Sequence, residues 1–133
     1  MFRTTVLLAA LMLLLVSSSS ESADTNGRYW TGGGPGAAGC TTFVAAMEKG
    51  RRHKIGSANY INATYGYRTY LLGFQAAYNY VAPTTCDLFG AYTEEQQLAW
   101  LENYCRTNPA ETFGAATIAL AKVAHGNRVQ VCK

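Results

Sequence analysis

The chain has 133 residues, of which 49% are hydrophobic and 14% charged, and a formal net charge of +3. That length fits one compact domain, the apolar content excludes a disordered tail, and the small positive charge excludes a dedicated nucleic-acid binder. Four cysteines and nine tyrosines are the unusual counts.

Arg3 precedes an apolar stretch from Thr5 to Val16, and Ser17 to Ala23 is small and mostly polar. Basic, then apolar, then small residues is the order of a secretory signal peptide, expected over 1–22 with cleavage after Ser22. The apolar run is about twelve residues, short of the roughly 20 that span a bilayer, so no stable membrane anchor is expected. Export changes the meaning of Cys40, Cys86, Cys105 and Cys132, all of which follow the cleavage point. In an oxidising compartment they should form two disulfides, in any of three pairings. No C-x-x-C pair is present, so zinc-ribbon and thioredoxin readings have no support.

Residues 23–39 hold Gly32, Gly33, Gly34, Pro35 and Gly36 and are expected to form a flexible arm ahead of a domain at 40–133. Tyr29 and Trp30 in it either dock on the body or stay tethered aromatics. A first helix is expected over 41–49, capped by Thr41 or Thr42, with Phe43, Val44 and Met47 on its apolar face and Gly50 at its end. Lys49, Arg51, Arg52 and Lys54 then form the only concentrated basic cluster. They are candidate contacts for an anionic partner or a membrane surface; otherwise they are a solvated loop.

The second helix is the clearest element. Ser57 can cap it and Pro83 limits its end. Tyr60, Thr64, Tyr67, Leu71, Phe74, Tyr78 and Val81 follow a four-three spacing that places them on one core stripe. A second stripe carries Asn62, Gly66, Thr69, Gly73, Ala76 and Tyr80, small enough for another helix to approach closely. A third helix opens on a capping box of Thr93 and Gln96, with Glu94 and Glu95 at the positive end of the helix dipole. Leu98, Leu101 and Cys105 share its inner face. A fourth is expected to start at Asn108 and Pro109, with Glu111 reaching back and Phe113, Ala116, Leu120 and Val123 pointing inward. Gly126 ends it, and Cys132 ties back the tail. No alternating run supports a sheet. The expected fold class is all-α, a small bundle of about four helices stapled by two disulfides.

Catalytic machinery is hard to assemble from these residues. Ser57 is best explained as a cap, and no G-x-S-x-G or H-E-x-x-H occurs. Oxidised cysteines supply no thiolate. Glu94, Glu95 and Glu111 already have helix-start roles. The expectation is a non-enzymatic protein with no catalytic residue, metal or cofactor, acting on a protein partner.

Cys40-Thr41-Thr42-Phe43 resembles the C-x-x-F that opens the HdeA/HdeB family of small periplasmic proteins. Tyr104-Cys105-Arg106-Thr107-Asn108-Pro109 resembles the Y-C-x-x-N-P near the end of those domains, and the wider similarity covers roughly 40–122. The resemblance implies a Cys40–Cys105 disulfide, leaving Cys86 and Cys132 as a second clasp. It also implies an ATP-independent periplasmic chaperone that protects clients from acid. The mature chain would carry ten lysines and arginines and two histidines, about +12 in strong acid. The chain is also similar to the Rap1a/Tai immunity proteins, in a tyrosine-led segment like Tyr70-Leu71-Leu72-Gly73, a late N-P helix and a cysteine near the end. That resemblance implies an inhibitor of a periplasmic toxin or hydrolase.

Overall fold

A computed structural model describes Asn26 and residues 28–133; the signal peptide expected over 1–22 lies outside the described residues. The chain divides into two units, Met1–Trp30 and Thr31–Lys133. In the first, residues 28–30 are irregular, with Tyr29 and Trp30 exposed. The second is an all-α bundle: α1 (Cys40–Gly50), α2 (Ala58–Val81), α3 (Glu94–Thr107) and α4 (Phe113–His125). No strand occurs among the described residues, only isolated bridges between Gly39 and Thr112 and between Asp87 and Val129.

Three of the four helices start where short polar side chains can satisfy their free N–H groups. The first departs from the expected Thr41 or Thr42 cap: it begins at Cys40 with Gly39 as its N-cap and no side-chain cap, because the Cys40 N–H donates instead to the Glu111 carbonyl. Ser57 Oγ accepts from the Tyr60 N–H at the head of α2. Thr93 and Gln96 form the full capping box at the head of α3. The fourth helix departs from expectation. It begins at Phe113, with Thr112 as the cap accepting from Ala115 N–H. Asn108 instead closes α3, its side chain donating to the Tyr104 carbonyl at 2.9 Å. The end of α3 therefore takes the residue that the sequence offered to α4.

The core lies between α1 and the inner faces of the other helices. α1 packs against both α2 and α3, and α3 against α4. Phe43, Tyr67, Tyr70 and Phe113 form one aromatic cluster, with Phe43 and Phe113 rings 4.6 Å apart and both residues fully buried. Each fully buried phenylalanine contributes roughly 1.5–3 kcal/mol of transfer free energy. Val81 and Val123 are exposed: the inner face of α2 ends one turn earlier than its spacing suggested, and that of α4 continues through Ala121 and Ala124 instead of Val123.

Two disulfides, Cys40–Cys105 and Cys86–Cys132, fit an oxidising, extracytoplasmic compartment. The first is buried and joins the start of α1 to the end of α3. The second ties the tail to the α2–α3 connection, where Asp87 and Val129 exchange backbone hydrogen bonds.

The glycine-rich segment is ordered in its second half. Gly34–Gly36 make a 3-10 turn, and Gly36 is buried. A Cβ at Gly36 would meet the Thr31 carbonyl and the Tyr70 ring, and one at Gly114 would meet the Thr31 side chain at 2.5 Å. Glycine at both positions lets this segment lie flat between α2 and α4, so the compact body begins at Thr31 instead of Cys40.

Candidate functional site

The basic segment after α1 is a tight turn, closed by backbone bonds from Arg51 to Met47 and from His53 to Gly50. Gly50 permits it, because Tyr60 packs on its Cα: a Cβ there would sit 3.1 Å from the Tyr60 ring. The turn does not present its four cations alike. Arg51 folds back and donates to both carboxylate oxygens of Glu102, at 2.5 and 2.7 Å. Lys49, Arg52 and Lys54 are exposed and make no ion pair among the described residues.

Glu102 is the centre of a larger cluster. Its side chain is 10% exposed and also accepts from Arg106, which reaches on to Glu48 of α1. The hydrogen bond from Arg51, opposed by burial and aided by Arg106, holds the Glu102 carboxyl below its ordinary value. The cluster joins α1 and its following turn to α3, the same pair that Cys40–Cys105 joins covalently.

A second cluster joins α2 to α3. Arg68 is the only charged residue in α2, and its side chain is 7% exposed. Its Nε donates to Thr64 Oγ1 at 2.8 Å, and its two terminal nitrogens reach Glu94 and Glu95, each at 2.8 Å. Tyr60 donates its hydroxyl to Glu95 at 2.5 Å, and the guanidinium lies 5.1 Å from the Tyr60 ring centre. Burial works to raise the Glu95 carboxyl, but hydrogen bonds from Tyr60 and Arg68 overcome it, and the net shift is downward. Burial, and then the Glu95 contact, pushes the Tyr60 hydroxyl up to about 12.

Both clusters escape a reading of the sequence by caps and stripes. Glu94 and Glu95 do sit in the first turn of α3, but they also grip Arg68. The available signal was Arg68 itself, a lone charge four residues from Thr64 and eight from Tyr60, beside an apolar stripe. A cation there needs a carboxylate from another element.

Polar groups elsewhere in the interior have structural partners. His125 Nδ1 lies 2.9 Å from the Tyr78 hydroxyl, and Asn79 accepts from the Leu88 N–H. Among the described residues there is no free cysteine, no group of three side chains placed to hold a metal, and no buried side-chain polar atom without a partner. A shallow groove of about 320 Å³ runs beside Cys105 between Val44 and Pro109. What the arrangement can do is respond to protonation, because two helix contacts depend on ionised carboxylates. Comparison with known protein families, curated proteins and solved structures finds no match for this chain.

Proposed function

We propose that this chain is a non-enzymatic periplasmic protein that opens in acid and shields unfolding clients, the activity implied by its resemblance to the HdeA/HdeB proteins. One observation carries the reading: a buried arginine is neutralised only by carboxylates, across a helix contact that no disulfide spans. Neither bridge has a cysteine in α2.

The sign of the pH effect follows from the carboxyl shifts. Glu95 and Glu102 have folded values below the ordinary 4.5, so the stability they lend is present at neutral pH. It is lost as the pH falls below 4.5 and through the folded values. Protonation of Glu94 and Glu95 leaves the Arg68 guanidinium buried without counter-charge. Their carboxylates are nearly half exposed, so the cost is discounted to about 1–3 kcal/mol. The guanidinium relieves it by moving into water, which frees the first half of α2 from α3 and, with it, from the larger packing contact that α2 makes on α1. Tyr60, Tyr67 and Leu71 then face solvent as client-binding surface. Cys40–Cys105 keeps α1 and α3 together throughout, so opening stops short of complete unfolding. The charge near +12 keeps loaded complexes dispersed.

The test uses the oxidised mature protein and an acid-labile enzyme at pH 2–3. A rise in apolar-dye fluorescence below pH 4, with less light scattering from the enzyme, is expected. Flat dye fluorescence with undiminished scattering overturns the reading. It would favour the inhibitor alternative, in which a rigid face captures one hydrolase stoichiometrically at neutral pH.

A further inference from the structure

The turn between α1 and α2 carries charge that the acid response does not use. Arg51 is balanced inside its own cluster, where Arg51 and Arg106 face Glu48 and Glu102. The carboxylates at the head of α3, Glu94 and Glu95, are turned on Arg68. Between Glu48 and Asp87 the chain holds no acidic residue. Lys49, Arg52 and Lys54 are therefore left as a local excess of positive charge, with His53 among them. Residues 51–56 are all exposed, so this stretch forms a knuckle on the surface and not the wall of a pocket.

The tip of the knuckle is apolar. Ile55 directly follows Lys54 and is 63% exposed. The Ser57 N–H donates to the Lys54 carbonyl at 3.0 Å, which closes a four-residue β-turn with Ile55 and Gly56 at its centre. Gly56 has a φ of +80°, the left-handed conformation that the third position of a type II turn takes and that glycine accepts without strain. Ser57 goes on to cap α2. Ordered backbone on both sides thus presents the isoleucine to solvent.

We propose that this knuckle docks the protein reversibly on an anionic lipid surface. Lys49, Arg52 and Lys54 lie at the headgroups, and Ile55 enters the boundary between headgroups and acyl chains. Charge complementarity sets the sign of the partner, and Ile55 sets its class. Cations around one exposed isoleucine suit a surface that offers phosphate oxygens and hydrocarbon at adjacent depths. An acidic protein patch would set its own polar groups against the isoleucine without hydrogen-bond partners. A pre-ordered, protruding turn also sinks into a deformable bilayer without a matching cavity. Among the described residues no helix is long and apolar enough to cross a membrane, and attachment through this turn is peripheral.

The experiment measures cosedimentation of the oxidised mature protein with vesicles at neutral pH, above the acid range of the dye assay. Phosphatidylcholine vesicles are compared with vesicles that also hold about 30% phosphatidylglycerol. At about 20 mM salt the three cations should raise partitioning onto the anionic vesicles about 100-fold, at about fivefold each. Arg52→Ser with Lys54→Ser should remove about 25-fold of that gain. Lys122→Ser with Lys133→Ser takes away the same net charge elsewhere and should cost about twofold or less. Lys122 lies in the last turn of α4, which packs on Tyr78 near the far end of α2. Ile55→Ser should weaken binding about fivefold, equally at about 20 and about 150 mM salt, whereas the effect of the Arg52 and Lys54 variant shrinks as salt rises. All these sites are exposed, and an unchanged far-ultraviolet spectrum checks the fold. Equal partitioning onto the two kinds of vesicle overturns the proposal, and so does an equal loss for the two charge variants. Binding that ignores Ile55→Ser overturns it as well; if polyglutamate-coated beads then retain the protein equally, the turn belongs to an acidic protein surface. The dye assay in acid reads a different event, so the failure of either proposal leaves the other standing.

Discussion

The two carboxylate clusters use the same chemistry under different constraints. On the α1–α3 side, Glu102 is the buried member and its partners Arg51 and Arg106 are more than 40% exposed. If Glu102 is neutralised, both arginines turn into water at little cost, and the Cys40–Cys105 bridge still holds the helices. On the α2–α3 side the burial is reversed. The arginine is inside, its carboxylates are at the surface, and no covalent link spans the contact. Protonation there strands a cation that cannot shed its charge, since arginine stays protonated at any accessible pH. An ion pair's sensitivity to acid thus depends on which partner is buried and on what else joins the elements.

The largest test of the comparison removes the staple. Cys40→Ala with Cys105→Ala releases a loop closed over a separation of 65 residues, worth about 4 kcal/mol in the chain-entropy picture. Urea unfolding at pH 7 should show that loss, and the α1–α3 side should then become acid-sensitive as well. A loss under about 1 kcal/mol would mean that packing, with the ion cluster, holds α1 to α3 without the bridge. Next comes Glu94→Gln with Glu95→Gln. It imitates protonation on the unstapled side and should cost about 2 kcal/mol at pH 7, while flattening the dependence of stability on pH below 4.5. Arg68→Met removes the stranded charge instead and should make the protein less sensitive to acid than the wild type. If Arg68→Met leaves the acid transition where it was, Arg68 is not the trigger. Glu102→Gln should cost less, about 1 kcal/mol, because its arginines have water to turn to. A larger loss for Glu102→Gln than for the double variant would invert the comparison.

The staple and the helices were legible in the sequence to different degrees. Thr93 and Gln96 announce α3 because a capping box is a local device, complete within four residues. The stripe of α2 was readable for the same reason, since periodicity is local. The Cys40–Cys105 pairing came through the C-x-x-F and Y-C-x-x-N-P resemblance, while spacing left three pairings open. Features that need two distant segments were hidden. The fit of Gly36 under Tyr70 and of Gly114 against Thr31 depends on tertiary approach, so the segment read as a loose arm. The grip of Glu94 and Glu95 on Arg68 was hidden because their place in a first turn is already a sufficient local explanation.

The start of α4 gives the smallest effect and the control for the others. Asn108 and Thr112 are both good caps, and composition does not choose between them. Tertiary structure does: Phe113 N–H donates to the Ala38 carbonyl and Cys40 N–H to that of Glu111, which pins the chain at 111–113 beside the buried disulfide. Thr112→Ala removes one neutral hydrogen bond, from Ala115 N–H at 3.1 Å, and should cost about 0.5–1 kcal/mol. No ionisable group takes part, so the loss should be equal at pH 7 and pH 4. A Thr112→Ala loss that grows on acidification would mean that the stapled side loosens in acid too. The contrast between the two clusters would then be one of degree, and the opening would not be confined to α2.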